Sequence, residues 1–155
     1  MPWYYMDNSV KKGDGCPQFS HGLYGNSEPR SEVYEIVKPI FATLNPFAIH
    51  RVKFNATSRT TEIKEKPLHV DITGPSDSPE PPFENIPDYH ICVIYFNDNN
   101  GYTYFEDGQK VLSKENRAVM FSGDLLHAGT SCTDADLRVV PVSYTHLTLP
   151  TSHCV

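Results

Sequence analysis

Three residues, His69, Asp71 and His127, combine types and a spacing that suit metal chemistry. In an extended strand, residues i and i+2 point to the same side, so the side chains of His69 and Asp71 would converge. A histidine from a distant strand would complete a set of two imidazoles and one carboxylate. Such a set binds ferrous iron on one face and leaves the other coordination positions open to reactants. The pattern therefore predicts a reactive iron site rather than a structural one.

The His-x-Asp triplet is weak when taken alone. With seven His and ten Asp in 155 residues, about half of one such triplet is expected by chance. In the alternative interpretation, His69 is a hydrogen-bonded strand histidine and Asp71 opens the turn at residues 72–75. The placement of the triplet among the predicted strands has to decide between the two.

One amphipathic helix is predicted at residues 29–44, after an aromatic, turn-rich segment (1–28) that would cover the edge of the core. Pro29 suits the first turn, and Asn45-Pro46 ends the helix. Pro39 falls on the polar side, where it should bend the helix outward. The apolar residues recur at helical spacing and predict a buried face of Val33, Ile36, Val37, Ile40, Phe41 and Leu44.

From Phe47 onward the hydrophobic period changes to two, which predicts strands. Eight extended segments can be counted, at about 49–56, 67–72, 89–97, 102–106, 109–112, 117–121, 125–129 and from 137 onward. This order predicts a mainly β (α+β) fold, a double-stranded β-helix or jelly roll of the cupin type with one supporting helix. His69 and Asp71 would end strand two and His127 would lie on strand seven. These strands are neighbours in a jelly roll, so the three side chains can meet.

Composition limits the remaining function classes. The net charge of −6 disfavours binding to nucleic-acid backbones. No apolar run approaches the roughly 20 residues of a membrane span, and no basic-then-apolar leader is present. The four cysteines form no Cys-x-x-Cys pair, so neither a zinc site nor a disulfide framework is indicated. A cytoplasmic location, whose reducing conditions suit ferrous iron, is expected; the oligomeric state is left open.

The end of the chain has an unusual sequence. Residues 142–151 match one reading frame of a transposon-type sequencing adapter, and Pro141 would be a hybrid codon. We therefore expect a domain at residues 1–140, truncated in its last strand, followed by a non-native tail at 141–155. The alternative is a genuine strand that alternates Val, Tyr and His. The adapter hypothesis excludes His146, His153 and Cys154 as ligands and puts closure of the barrel in doubt.

The ordered set of motifs resembles the 2-oxoglutarate- and Fe(II)-dependent oxygenases, in particular the prolyl-4-hydroxylase-like branch with its phage and marine-metagenome relatives. The resemblance covers nearly all of residues 1–140. It is carried by His69-Val70-Asp71 and by the segments 2–5, 93–97, 101–108, 118–130 and 138–140.

The resemblance implies roles residue by residue. His69, Asp71 and His127 match the Fe(II) ligands, Arg138 matches the residue that grips the far carboxylate of 2-oxoglutarate, and Tyr95 matches a tyrosine that hydrogen-bonds the same carboxylate. It implies hydroxylation of an unidentified peptide or small molecule by O2, with peptidyl proline as the first guess. 2-Oxoglutarate would become succinate and CO2, and ascorbate is a further candidate cofactor. The loop 74–82 would gate the substrate.

Several alternatives stay open from the sequence. Arg138 could be a surface arginine paired with Asp134 or Asp136, and Tyr95 could be a plain core aromatic. Three residues of one strand, Arg51, Lys53 and Asn55, share a face that could line the pocket, although a solvated outer face is the favoured interpretation. For the whole protein, the rival functions are a non-catalytic cupin-like metal or small-molecule binding module and a structural jelly roll.

Overall fold

The computed structural model describes residues 1–43, 46–71 and 89–147. None of the helices in this part of the chain is long and apolar enough to cross a membrane. The elements, in chain order, are β1 (Tyr4–Met6), β2 (Gln18–Gly25), β3 (Glu28–Pro29), α1 (Val33–Ala42), β4 (Pro46–Ser58), β5 (Tyr89–Ile94), β6 (Tyr102–Phe105), β7 (Lys110–Leu112), β8 (Ala118–Ser122), β9 (His127–Gly129) and β10 (Leu137–Leu147).

The strands form two antiparallel sheets. The large sheet has the order β1-β2-β4-β10-β5-β8, with β3 paired to β2, and the small sheet has the order β7-β6-β9. This arrangement confirms the predicted mainly β jelly roll with one helix.

The large sheet has one hydrophobic cluster on each of its faces. Alternate residues of β5 show why, since Ile91 and Val93 point between the sheets whereas Cys92 and Ile94 point toward α1. The cluster between the sheets contains Tyr89, Ile91, Val93, Tyr95, Phe105, Phe121, Val140, Val142 and Tyr144. The cluster under the helix contains Leu23, Tyr34, Val37, Phe41, Val52, Phe54, Cys92 and Ile94.

Helix α1 is shorter than predicted, and its buried face agrees with the prediction at Val37 and Phe41 but not at Ile36 and Ile40, while Leu44 lies outside the described residues. It begins at Val33 because Pro29 pairs with Tyr24 in β3 instead of starting the helix. The residues it buries are Tyr34, Val37 and Phe41, while Ile36 is 76% exposed. Tyr34 stacks on Tyr24, with ring centroids 4.9 Å apart. It takes the place on the buried face that the apolar pattern assigned to Ile36. Pro39 lies inside the helix on its exposed side, as predicted.

The segment 1–28 is not only a cover, and that part of the prediction was wrong. It contains β1, β2 and the start of β3, which extend the large sheet because β2 pairs with β4 from Phe19 opposite Ala56 to Gly25 opposite Arg51. A register shift between Gly22 and Tyr24 interrupts the alternation of β2. This irregularity hides the strand from a search for period two.

Strand β10 continues past Val140 to Leu147, and it lies between β4 and β5 in the large sheet. Residues 141–147, which the adapter hypothesis assigns to a non-native tail, therefore complete a central strand of the described fold. The origin of these residues stays a prediction. The remainder of the tail, and the loop 74–82 that was predicted to gate the substrate, lie outside the described residues.

Candidate metal centre

The three predicted metal ligands converge. The Nε2 atom of His69 lies 3.4 Å from one carboxylate oxygen of Asp71, and the Nε2 atom of His127 lies 3.3 Å from the other. One ligand atom from each residue can be chosen so that all three lie within 4.8 Å of one another. The geometry is that of a small, three-donor metal site.

Backbone pairing positions the two imidazoles. The segment that carries His69 runs antiparallel to β9, and His69 and His127 form an isolated bridge there. A second bridge joins Glu65 to Thr130. The strand predicted at 67–72 is therefore reduced, in its described part, to the single bridge at His69. The His69 and His127 rings are held side by side, with centroids 4.9 Å apart, and Phe121 packs against His127 at 4.5 Å.

The hydrogen bonds of the two rings fix which nitrogen is free. The Nδ1 atom of His69 lies 3.1 Å from the carbonyl oxygen of Pro67, and that of His127 lies 2.8 Å from the carbonyl oxygen of Leu125. A carbonyl oxygen only accepts hydrogen bonds, so each Nδ1 must carry the hydrogen. The other ring nitrogen, Nε2, faces Asp71 in both residues and is the atom placed to bind a metal.

Asp71 is ionised in this environment. Burial alone would raise the pKa of its carboxyl group, but the imidazoles of His127 and His69 outweigh that effect and hold the pKa well below its ordinary value. An ionised carboxylate and two imidazole nitrogens that converge on one point can share a bound cation. Two neutral imidazoles and one carboxylate suit a divalent transition metal such as iron, so the residues present fit the metal that the sequence predicts.

A cavity of about 480 Å³ opens beside the triad, between the two sheets. Its wall is strongly cationic although the chain carries a net charge of −6. Among the described residues of the wall, Asp71 supplies the one carboxylate, whereas four side chains are basic: Arg51, Lys53, Lys66 and Arg138. The cavity is therefore suited to anionic ligands in addition to a metal.

Arg138 is 3% exposed, and it does not pair with Asp134 or Asp136 as one alternative proposed. Its Nε atom donates to the hydroxyl of Ser113 at 2.8 Å, and its Nη2 atom lies 3.3 Å from the hydroxyl of Thr103. Burial lowers the pKa of Arg138 to about 10, so the guanidinium is charged at neutral pH. It is a buried cation with neutral hydrogen-bond partners.

Two glycines leave room for that guanidinium. A Cβ atom at Gly129 would lie 3.2 Å from Nη1 of Arg138, and one at Gly101 would lie 2.7 Å from its Cδ atom and from the carbonyl oxygen of Ser131. The distances at Gly101 are too short for any Cβ, whereas the one at Gly129 is tight and would require Arg138 to move by a few tenths of an ångström.

Lys66 is a second buried cation, and sequence reasoning missed it. Its Nζ atom donates to the side-chain oxygen of Gln18 at 2.8 Å and to the hydroxyl of Thr57 at 3.2 Å. Burial, together with repulsion from Arg138, lowers the pKa of Lys66 to about 8. In the sequence it belongs to the charged run Lys64-Glu65-Lys66, which is typical of a solvated surface, so no signal distinguished it.

Tyr95 lies beneath Arg138 rather than on the cavity wall. Its hydroxyl lies 2.9 Å from the hydroxyl of Thr103 and 3.3 Å from the carbonyl oxygen of Val111, and its ring centroid lies 5.6 Å from the Arg138 guanidinium. The structure thus connects Tyr95 to Arg138 through packing. A direct contact of Tyr95 with a cosubstrate stays a prediction.

The favoured interpretation of Arg51, Lys53 and Asn55 as a solvated outer face was wrong. In β4, Val52 and Phe54 point toward the helix, so the alternate residues face the cavity and line it. The side-chain oxygen of Asn55 is buried there without a hydrogen-bond partner among the described residues.

No protein-family model and no curated protein matches the chain. Its fold is similar to that of a 2OG-Fe(II) oxygenase family oxidoreductase from Burkholderia pseudomallei, with a TM-score of 0.60 and 12% identity, over 94% of this chain and 73% of that one. It is also similar to a prolyl-4-hydroxylase from Pseudomonas putida, with a TM-score of 0.55 and 9% identity, over 92% of this chain and 78% of that one. At such low identity these likenesses show the shared fold, and the function has to be argued from the site.

Proposed function

We propose that this protein is an Fe(II)- and 2-oxoglutarate-dependent dioxygenase that hydroxylates its substrate while 2-oxoglutarate is converted to succinate and CO2. One observation carries the proposal: the His69, Asp71 and His127 triad opens into a cavity that also holds a buried, charged Arg138 without a carboxylate partner among the described residues. A metal site next to a cation without a carboxylate partner suits 2-oxoglutarate, because one end of that molecule can chelate a metal and the other end is a free carboxylate.

The triad would hold the iron through the two Nε2 atoms and the Asp71 carboxylate. Because each Nδ1 is hydrogen-bonded to a backbone carbonyl, the rings are oriented before any metal binds. When bound, iron and 2-oxoglutarate supply the oxidative chemistry, which couples O2 activation to decarboxylation of the cosubstrate. The contribution of the protein is to hold, orient and shield these groups.

Arg138 and Lys66 would bind the far carboxylate of the cosubstrate. A guanidinium grips a carboxylate through parallel hydrogen bonds and keeps its charge when buried. Lys66 lies close enough for the two positive charges to repel each other, and a carboxylate between them would relieve that repulsion. Their existing partners, the side chains of Ser113, Thr103, Gln18 and Thr57, are neutral.

The apolar part of the wall would keep water from the reacting groups. Val93, Val140 and Val142 line the cavity from neighbouring strands of the large sheet. Displacing water from this space strengthens the electrostatic interactions of the charged groups and limits side reactions of an oxidant. Peptidyl proline is the first substrate to test, since the sequence resembles the prolyl-4-hydroxylase-like branch and the fold is similar to a prolyl-4-hydroxylase.

The test is oxygen-dependent turnover of 2-oxoglutarate. Protein purified anaerobically with Fe(II) should form succinate when O2 is admitted, slowly without substrate and faster with a proline-containing peptide that it accepts. Asp71→Ala should reduce succinate to background, and Arg138→Ala should raise the 2-oxoglutarate concentration needed. Iron binding without succinate formation would instead favour a cupin-like binding module. Binding of neither iron nor 2-oxoglutarate would favour a structural jelly roll.

A further inference from the structure

We propose that the substrate of this site carries an anionic group, a carboxylate or a phosphate, which is bound by Arg51 and Lys53 at the opposite end of the cavity from Arg138. This inference rests on the proposed function, because it assigns the inner end of the cavity to 2-oxoglutarate.

The register of the large sheet separates Arg138 from Arg51 and places Lys53 between them along β4. Arg138 lies opposite Thr57, whereas Val142 lies opposite Lys53 and Tyr144 lies opposite Arg51. The six residue steps from Thr57 to Arg51 span roughly 20 Å of extended strand. A five-carbon acid measures only about 5 Å between its end carbons, given C–C bonds of about 1.5 Å. A 2-oxoglutarate held at Arg138 therefore covers only part of that length, and Arg51 lies at its far end.

The metal triad lines the same cavity as these cations. Asp71 is near enough to Lys53 and Tyr144 for its charge to act on both. Arg51 lies beyond Lys53 along β4 and is exposed. A cosubstrate that reaches from the metal toward Arg138 leaves Arg51 and Lys53 on the side from which a substrate would approach.

Neither cation has a partner of opposite charge among the described residues other than the Asp71 carboxylate, which lies beyond ion-pair distance of both. The guanidinium of Arg51 stacks over the ring of Tyr144 at 4.3 Å from its centroid. Lys53 has no hydrogen bond to the described residues, and burial lowers its pKa although the charge of Asp71 opposes that effect. Holding an unpaired ammonium out of water is costly, and a bound anion would offset that cost.

Asn55 adds a third group to this wall. Its side-chain oxygen is buried and without a hydrogen-bond partner among the described residues, and Asn55 lies two residues from Lys53 on the same face of β4. A buried acceptor without a donor is costly. A ligand with an anionic group and a nearby N–H or O–H would match Arg51, Lys53 and Asn55 together.

The experiment uses acetate and inorganic phosphate as probes on the full chain, loaded anaerobically with Mn(II) and saturating 2-oxoglutarate. Paramagnetic broadening of the ¹³C and ³¹P resonances, at constant ionic strength, reports anions that bind near the metal. We expect saturable broadening by at least one probe, weakened about tenfold or more in Arg51→Gln and in Lys53→Gln. Arg51→Lys should retain part of the binding. The probe that binds more tightly identifies the group as carboxylate or phosphate.

Lys38→Gln is the matched control, because Lys38 is exposed on the helix and its removal makes the same change in charge. It should leave both titrations unchanged.

Titration of 2-oxoglutarate itself into each variant separates the two proposals. If neither probe saturates in protein that binds Mn(II) and 2-oxoglutarate, the anionic-substrate proposal is overturned while the proposed function stands. If Arg51→Gln weakens 2-oxoglutarate binding as much as it weakens probe binding, the anionic-substrate proposal is also overturned, since Arg51 would then bind the cosubstrate. Failure of the parental protein to bind Mn(II) and 2-oxoglutarate would overturn both.

Discussion

His69 and His127 exchange both of their backbone hydrogen bonds, with N–O distances of 3.0 and 3.1 Å. This exchange is the pattern of a hydrogen-bonded antiparallel pair, in which the two side chains emerge on the same side. The orientation of the imidazoles is thus fixed by the main chain and by the Nδ1 contacts to carbonyl oxygens. A substitution that leaves this backbone pairing intact should change the affinity for the metal without changing the orientation of the imidazoles.

The space beside Arg138 gives a first prediction. Gly101→Ala would place a Cβ atom 2.7 Å from the Arg138 side chain and from a backbone oxygen. It should lower the free energy of unfolding by about 1–3 kcal/mol and weaken 2-oxoglutarate binding, as measured by thermal unfolding and calorimetry. Gly22→Ala is the control, because nothing lies within 4 Å of its Cβ position. Equal effects of the two substitutions would show that the space beside Arg138 is not restricted.

Lys66 gives a prediction that separates stability from function. Lys66→Met removes a charge that is only 8% exposed, so it should raise the free energy of unfolding by roughly 1–3 kcal/mol and weaken 2-oxoglutarate binding. Lys64→Met, at an exposed neighbour, should do neither.

The folded-state pKa of Lys66, about 8, lies below its ordinary value of 10.5. The unfolded chain therefore holds this proton more tightly, and the advantage of the variant should shrink as the pH rises from 8 toward 10.5. A variant less stable than the parental protein would contradict this account.

The same pKa predicts how cosubstrate binding depends on pH. As the pH rises through about 8, Lys66 loses its charge while Arg138, with a pKa of about 10, keeps it. The affinity for 2-oxoglutarate, measured by calorimetry with Mn(II), should fall between pH 7 and pH 9 in the parental protein. In Lys66→Met that fall should be absent. An identical alkaline fall in both proteins would assign it to another group.

The last strand gives a prediction about the tail. Residues Val142 to His146 pair with β5 at five positions, and Val142 and Tyr144 belong to the cluster between the sheets. A chain that ends at Val140 should lose its cooperative thermal transition, followed by circular dichroism, whereas a chain that ends at Leu147 should keep it. Cooperative unfolding of the shorter chain would show that 141–147 is dispensable.

The adapter hypothesis has its own test, which is to recover the source gene. The hypothesis predicts that the natural sequence diverges after Val140. In the fold described, the natural continuation should still place apolar or aromatic residues at positions 142 and 144, since both point into the core. A gene that encodes residues 142–151 as they stand here would refute the adapter origin.

The sequence predicted the convergence of His69, Asp71 and His127 because one local spacing and the order of the strands were enough to place them together. Period two puts His69 and Asp71 on one side of a strand, and the order of strands places His127 beside them. The positions of Lys53 and Lys66 could not be predicted in the same way. For Lys53, either face of β4 could have been the one that lines the cavity. Val52 and Phe54 decide which face of β4 lines the cavity, because they pack under helix α1. The buried face of that helix was itself predicted with an error. Burial of Lys66 depends on Gln18, which lies in a strand with an irregular register.

The most direct test of the central claim is anaerobic equilibrium binding of Fe(II) and 2-oxoglutarate to the parental chain and to Asp71→Asn, a substitution that keeps the shape of the side chain and removes its charge. We expect one tightly bound Fe(II) per parental chain and 2-oxoglutarate binding that depends on the metal. In Asp71→Asn, both should be weakened by roughly two orders of magnitude or more while the thermal transition remains cooperative. Equal affinity of the two proteins for Fe(II), or 2-oxoglutarate binding that is independent of metal, would contradict the account.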